Sequence, residues 1–173
     1  NSFTGSLSWK KNNPHNVKLS AVLSGFYNDI ENMIDYALSP SDPNVFVYMN
    51  VDKFKSRGAS LTGNLGYKAL TASLGVGYTG RYNSFTELDK SLPSFKWSPE
   101  INSTIGYNFS KIGLTANLFY KFIGKLPYYQ LVTVNGQDEI RLSQNNSYNL
   151  ADFTLNKKLF RYFTINAGIK NLF

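Results

Sequence analysis

Hydrophobic and polar residues alternate along most of this chain, in segments of about ten residues. In the clearest segment, residues 70–79, leucine, alanine, valine and tyrosine alternate with threonine, serine and glycine. Period-two alternation predicts β-strands with one apolar face and one polar face. Eight such segments follow one another along the chain, so we predict an all-β fold of eight antiparallel strands.

Short and long connections alternate between these segments. The short ones are predicted near residues 12–16, 68–70, 110–112 and 159–162, and the long ones near 31–44, 83–98 and 125–147. Tight turns on one side and long loops on the other are typical of a barrel that spans a bacterial outer membrane. A soluble antiparallel sandwich shows the same alternation of faces. The alternation of loop lengths favours the antiparallel up-and-down transmembrane β-barrel.

Aromatic residues stand at the ends of the apolar rows. They are Trp9, Tyr27, Tyr67, Tyr78, Phe109 and Phe122. Girdles of aromatic residues mark the two membrane–water interfaces of such barrels. One charge, Lys157, lies in register with the rows, beside a turn from which its ammonium group can reach water. We therefore expect the apolar face to contact outer-membrane lipid and these six aromatic residues to lie at its interfaces.

The polar face consists mainly of serine, threonine, asparagine and glycine. Eight strands that close on themselves leave an interior that side chains just fill, and these small residues do not fill one. They suit the wall of a wide aqueous lumen.

The first strand also runs into a short turn and the last strand leaves one, so the chain starts and stops on the long-loop side. We therefore expect residues 1–173 to be a segment of one larger barrel domain. The alternative is a complete small barrel that acts as an adhesin or anchor.

The net charge of +7 raises the question of an anionic partner. Eight basic residues cluster at the short-turn end: Lys10, Lys11, Lys18, Lys68, Lys111, Lys157, Lys158 and Arg161. At the long-loop end basic and acidic residues balance. The excess charge is therefore assigned to the periplasmic rim, and no nucleic-acid partner is predicted. The chain has no cysteine, which excludes disulfides, thiolate metal sites and cysteine nucleophiles.

Catalytic chemistry is not indicated. The single histidine, His15, lies in a predicted turn, where a solvated side chain is the ordinary interpretation. Glu31 and Asp35 are four residues apart in a predicted loop, but no histidine and carboxylates share metal-ligand spacing. The glycines are scattered through strands and form no phosphate-binding loop. We expect no enzyme activity, no cofactor and no metal site. An outer-membrane protease would need acid and histidine groups at the outer rim.

Ligand recognition is expected in the outer loops. Asn135-Gly136 is a strong hairpin signal between residues 128–134 and 137–142, so the third long loop is predicted to stand as a β-ribbon. The ligand-contact candidates are Arg57, Arg81, Tyr128, Tyr129 and Arg141. The tyrosines would stack on a chelate, corrin, porphyrin or sugar, or would pack within the loop and girdle.

The two strand arginines have competing assignments. Arg57 and Arg81 would face the upper lumen and meet a carboxylate or a chelated metal, or would pair with Asp29, Asp52 or Glu87. Arg57 also shares its odd-numbered register with the lipid face below it. Either it stands above the membrane on that face or a β-bulge shifts the register.

Three phrases resemble the C-terminal half of the barrel of TonB-dependent outer-membrane receptors. They are FYNDIENMI at residues 26–34, YMNVD at 48–52 followed by Gly58, and AGIKNLF at 167–173. In the family, the first closes a strand before an extracellular loop, the second begins the next strand, and the third lies on the penultimate strand.

The resemblance implies strands near the end of a 22-stranded barrel, with the plug domain and the closing strand outside this chain. It implies multi-pass insertion in the Gram-negative outer membrane and coupling to the TonB complex through parts not in this chain. The implied role is uptake of a scarce large ligand, such as a ferric chelate, cobalamin or an oligosaccharide.

Overall fold

A computed structural model of the protein describes residues 1–13, 17–38, 46–134, 137–160 and 162–173. Within these ranges, the side chains of residues 32–38, 46–53, 131, 133 and 138 are not described. His15, Arg161 and the Asn135-Gly136 pair, each named in the sequence analysis, lie outside the described residues.

Within these described ranges, ten antiparallel strands form two sheets. The strands are β1 (Ser2–Asn13), β2 (Val17–Leu38), β3 (Phe46–Tyr67), β4 (Leu70–Tyr82), β5 (Phe95–Phe109), β6 (Leu114–Ile123), β7 (Leu126–Val134), β8 (Gln137–Asn145), β9 (Tyr148–Leu159) and β10 (Phe163–Ile169). The main sheet has the order β1-β2-β3-β4-β5-β6-β9-β10, and β7 and β8 form a separate ribbon. The all-β, up-and-down prediction is confirmed. The sheet is open within this chain, with β1 and β10 at its two edges.

The long-loop end differs from the prediction at two places, of which the smaller is that β5 begins at Phe95, within the connection expected over residues 83–98. A loop was expected over residues 31–44, but β2 continues to Leu38 and β3 begins at Phe46, paired from Leu38↔Phe46 down to Val17↔Tyr67. Hydrophobic and polar residues no longer alternate in this segment, and backbone hydrogen bonds to the neighbouring strand keep it extended. The other two long connections hold a short 3-10 helix (Ser84–Glu87) and the ribbon.

The two faces of the main sheet differ as the alternation predicts. Directly paired residues share a face, and one continuous row reads Leu7, Leu23, Leu61, Val76, Ile101 and Phe122. The apolar side chains of this face do not converge on a core. Leu74 and Ile165, for example, are 53% and 54% exposed. Ala151 is the one buried hydrophobic residue among the described side chains. The sheet therefore presents a broad apolar surface, which a soluble sandwich would have buried.

The aromatic rows lie on a slope across the sheet. In register, Tyr27 of β2 aligns with Gly80 of β4, and Tyr78 lies two residues nearer the short-turn end. Through Pro99 of β5, Tyr78 aligns with Gly124, just after the end of β6. Phe122 of β6 again lies two residues nearer the short-turn end. The slip is one residue per strand, and a rise of about 3.3 Å over a strand spacing of about 4.8 Å corresponds to a tilt of about 35°. That angle falls within the range of transmembrane barrel strands.

The short-turn end is tightly closed where it is described. Gly113 adopts a left-handed conformation (φ 62°) after the 3-10 turn at Ser110–Ile112, and Lys68 does so (φ 52°) between β3 and β4. The Lys157 ammonium group donates a hydrogen bond to the Ile112 carbonyl oxygen, so this cation turns from the apolar face toward the end of the sheet. No helix in the described part of the chain is long and apolar enough to cross a membrane.

Candidate functional site

Two cations lie side by side on the polar face near the long-loop end. Arg81 of β4 is directly opposite Lys96 of β5, and Ser56 of β3 lies on the other side of Arg81. These positions belong to the same face as the small polar residues lower in the sheet. Arg81 and Lys96 line a cavity of about 260 Å³ together with Ser98, Pro127, Tyr128 and Asn145. The cavity therefore joins the upper polar wall to the base of the ribbon.

The base of the ribbon is fixed to β5 by backbone geometry. The Gly124 N–H group donates to the Pro99 carbonyl oxygen at 2.8 Å, and the Ser98 hydroxyl donates to the Gly124 carbonyl oxygen at 3.3 Å. A Cβ atom at Gly124 would lie 2.5 Å from the Pro99 ring, so glycine permits this approach. The start of β7 is thereby held next to Lys96.

The two cations have no carboxylate partner within 4 Å among the side chains that the structure describes. The Lys121 ammonium group, lower on the same face, is 3.0 Å from Glu100. Asp29, one of the expected partners of Arg81, is 2.8 Å from Lys55. That hydrogen bond holds the pKa of Asp29 below its ordinary value. The carboxylates of Asp29 and Glu100 are therefore each paired with a cation other than Arg81 or Lys96.

The remaining expected partners of Arg81 are placed as follows. Glu87 accepts a hydrogen bond from the Tyr82 hydroxyl at 3.1 Å, on the loop after β4. The side chain of Asp52 lies outside the described residues. Its backbone is four positions beyond Ser56 on β3, which is about 13 Å along an extended strand.

Lys96 stands above the sloping aromatic row, outside the membrane-spanning part of β5. Burial lowers the pKa of its ammonium group below the ordinary value, and the neighbouring Arg81 guanidinium group lowers the pKa further. Like charges directly opposite each other in a sheet are destabilising. The pair is therefore a local concentration of positive charge without a neutralising group among the described side chains.

The ribbon has one polar and one apolar face. Tyr128 pairs with Ser143 and Gln130 with Arg141, on the face that continues into the cavity. Arg141 is 3.2 Å from Glu139 in an exposed ion pair. Tyr129 pairs with Leu142 on the opposite face. The predicted ribbon is present, and of its candidate residues Tyr128 alone lines the cavity.

Arg57 does not face the upper lumen, which corrects one of the two assignments made from sequence. The β2–β3–β4 register runs without a bulge from Phe54 to Tyr67, and Arg57 lies opposite Tyr27 and Gly80 on the apolar face. Its guanidinium carbon is 4.0 Å from the ring centre of Phe95 and 5.3 Å from that of Trp97. Arg57 thus packs on aromatic rings above the apolar band, away from the polar wall.

The interface aromatics occupy the ends of the apolar face. Trp9, Tyr27, Tyr67, Tyr78 and Phe109 are exposed and Phe122 is partly buried. Tyr78 stacks on Trp97 at 5.0 Å between ring centres, with 11° between planes. Their contact with lipid stays a prediction.

Sequence reasoning missed Lys96 and the Glu100–Lys121 ion pair. Their charges belong to the balanced set at the long-loop end, but the face on which each residue lies depends on the pairing of β5 with its neighbours. The even-numbered register shared with Ser98 and Asn102 was the available signal for Lys96 and Glu100. Its juxtaposition with Arg81 required the cross-strand register.

The chain was compared with protein-family models and with curated proteins. The model described as "TonB dependent receptor-like, beta-barrel" matches residues 2–172. The chain belongs to this family. The search of curated proteins found no match.

Membership of the TonB-dependent receptor-like barrels accounts for the one-sided sheet. It identifies the chain as part of an outer-membrane receptor or transporter of Gram-negative bacteria. A plug domain and the TonB system are the general partners of this family. The resemblance found in the short sequence phrases is thereby confirmed.

Proposed function

We propose that this chain forms late strands of the barrel of a TonB-dependent receptor that imports a scarce large ligand, such as a ferric chelate, cobalamin or an oligosaccharide. The proposal rests chiefly on the one-sided sheet of eight strands in a chain that belongs to the receptor family. The chain would be a multi-pass outer-membrane segment with lipid on the apolar face and the lumen on the polar face.

The chain's share of uptake is passive and not enzymatic. The small polar residues supply lumen wall against which the receptor's plug domain packs. The long-loop end, with Arg81 and Tyr128 at its cavity, contacts the ligand. Energy is supplied by the TonB complex through parts of the receptor outside this chain. A complete small barrel acting as an adhesin or anchor is less favoured, because the eight-stranded sheet is open between β1 and β10.

Uptake by the complete receptor tests this proposal. The receptor gene is expressed in a Gram-negative host with and without TonB, and accumulation of radiolabelled ferric citrate, cobalamin and maltoheptaose is measured. We expect accumulation of one probe, lost without TonB and reduced about tenfold or more when residues 126–145 are replaced by a short Gly-Ser linker. Equal receptor levels in outer-membrane fractions are the control. The proposal would be refuted if accumulation were the same with and without TonB. It would also be refuted if, for every probe, accumulation equalled that of cells carrying the empty vector.

A further inference from the structure

The upper polar wall carries a charge arrangement that a structural role does not explain. Arg81 and Lys96 are directly paired across β4 and β5, where like charges oppose each other at a cost. Lower on the same face, Lys121 lies beside Glu100 at 3.0 Å. The contrast shows that this wall can neutralise a cation with a carboxylate, and that Arg81 and Lys96 are not neutralised in this way by the described side chains.

The surroundings of the pair form a recess with hydrogen-bonding groups. The cavity of about 260 Å³ is also lined by Ser98, Tyr128 and Asn145, which carry hydroxyl and amide groups, and by Pro127. Ser98 is 6% exposed and its hydroxyl is held by Gly124. A guanidinium group binds two oxygens of a carboxylate or phosphate in a fixed fork, and an ammonium group adds a point charge.

We propose that Arg81 and Lys96 form an oxyanion subsite at the mouth of the lumen, which binds a carboxylate or phosphate group carried by the imported ligand. The inference rests on the proposed function, since it assigns a chemical class to the ligand of that same site. Tyr128 lies within reach of the bound group from the base of the ribbon. An uncharged oligosaccharide would leave both cations unneutralised, so the subsite favours an acidic chelate or a phosphorylated compound.

The position of the subsite relative to the ribbon supports a ligand over a purely structural anion. β7 begins at Leu126 directly beside the cavity, and the ribbon's polar face, with Gln130 and Arg141, continues upward from it. An anionic group held by Arg81 and Lys96 would leave the rest of a large ligand against this face. The hydrogen bonds of Gly124 with Pro99 and Ser98 hold the ribbon base in that orientation.

Titration of the complete receptor in detergent tests the subsite without any need for transport. Its lysines are reductively ¹³C-methylated, and the Lys96 signal is assigned as the one lost in Lys96→Arg. Citrate and pyrophosphate serve as carboxylate and phosphate probes, with sodium chloride at matched ionic strength as the control. We expect the Lys96 signal to shift saturably with one or both probes, while the signal of Lys121 stays in place.

Matched variants separate the subsite from general charge. We expect Arg81→Gln to weaken the apparent affinity for the probe about tenfold or more. Arg57→Gln removes the same charge from the apolar face and should leave the affinity unchanged. The probe that binds with the higher apparent affinity, citrate or pyrophosphate, identifies the preferred oxyanion.

Two results would overturn the inference. One is a Lys96 shift that chloride reproduces at the same ionic strength. The other is a Lys96 signal that neither probe moves. Both readouts are independent of uptake, so failure of TonB-dependent transport and failure of the subsite are distinguishable.

Discussion

At the scale of single residues, close contacts on the polar face decide which glycines can be replaced. A Cβ atom at Gly58 would lie 2.7 Å from the Tyr78 carbonyl oxygen and 2.7 Å from the Phe26 ring. At Gly63, in the same strand, a Cβ atom meets nothing within 4 Å. The aromatic ring that covers Gly58 leaves no room for a methyl group, whereas the apolar face at Gly63 is open.

Substitution of these two glycines should therefore have unequal effects on stability. We expect Gly58→Ala to destabilise the barrel by about 1–3 kcal/mol, because the backbone carbonyl cannot move without disturbing the β3–β4 pairing. Gly63→Ala should change the free energy of unfolding by less than about 0.5 kcal/mol, as substitutions without steric conflict do. Urea titration of the complete receptor in detergent, followed by tryptophan fluorescence, measures both. Equal losses would contradict the assigned contacts.

The side on which a given residue lies was predictable from sequence only where its strand pattern was unbroken. Leu74 and Ser73 were assigned correctly because alternation runs without interruption through β4. Arg57 could not be assigned, since a single inserted residue in β3 would have moved it to the other face. Lys96 was missed as a partner of Arg81 because no local pattern fixes the register between strands.

At the scale of elements, the ribbon was predictable and the extension of β2 and β3 was not. The ribbon has its own turn signal and flanking β-formers. Residues 29–38 have neither an alternating pattern nor a turn signal before Pro40, and their strand conformation comes from the backbone ladder with the partner strand. Extended strands above the membrane are therefore hard to distinguish from loops in a sequence.

The register of the ribbon can be tested with introduced cysteines, since the chain has none of its own. Val132 is directly opposite Glu139, so we expect Val132→Cys with Glu139→Cys to form a disulfide readily under mild oxidation. Val132→Cys with Ile140→Cys is the control, because a one-residue slip places the two thiols on opposite faces. The loss of the exposed Glu139–Arg141 ion pair should matter little. Gel mobility after proteolysis between the two strands measures cross-linking, and equal yields would refute the register.

At the scale of the whole molecule, the two faces of the sheet and the slope of its aromatic rows belong to one geometry. A slip of one residue per strand gives the tilt expected of membrane-spanning strands. The same tilt keeps Tyr27, Tyr78 and Phe122, at the long-loop end, at constant depth, although residues in register do not share that depth. Sequence alone showed the two faces and the aromatic ends, whereas the slope required the register of every strand pair.

The central prediction of this geometry is that successive residues of one strand face lipid and the aqueous lumen in turn. Leu74 is 53% exposed on the apolar face, midway between Leu70 and Tyr78, and Ser73 precedes it on the polar face. We expect Leu74→Arg to cost about 2–4 kcal/mol, because a charge at mid-membrane must leave water. Ser73→Arg should cost about 1 kcal/mol or less, since a lumen-facing side chain stays hydrated.

Folding of the two complete-receptor variants into lipid vesicles, followed by urea titration, measures the difference. A Leu74→Lys variant serves as a check that the effect follows charge. If Ser73→Arg were the more destabilising change, or if both were neutral, lipid would not cover the apolar face. The assignment of Arg81 and Lys96 to the lumen would then be wrong as well. The lipid-facing and the lumen-facing assignments depend on the same alternation through β4 and β5.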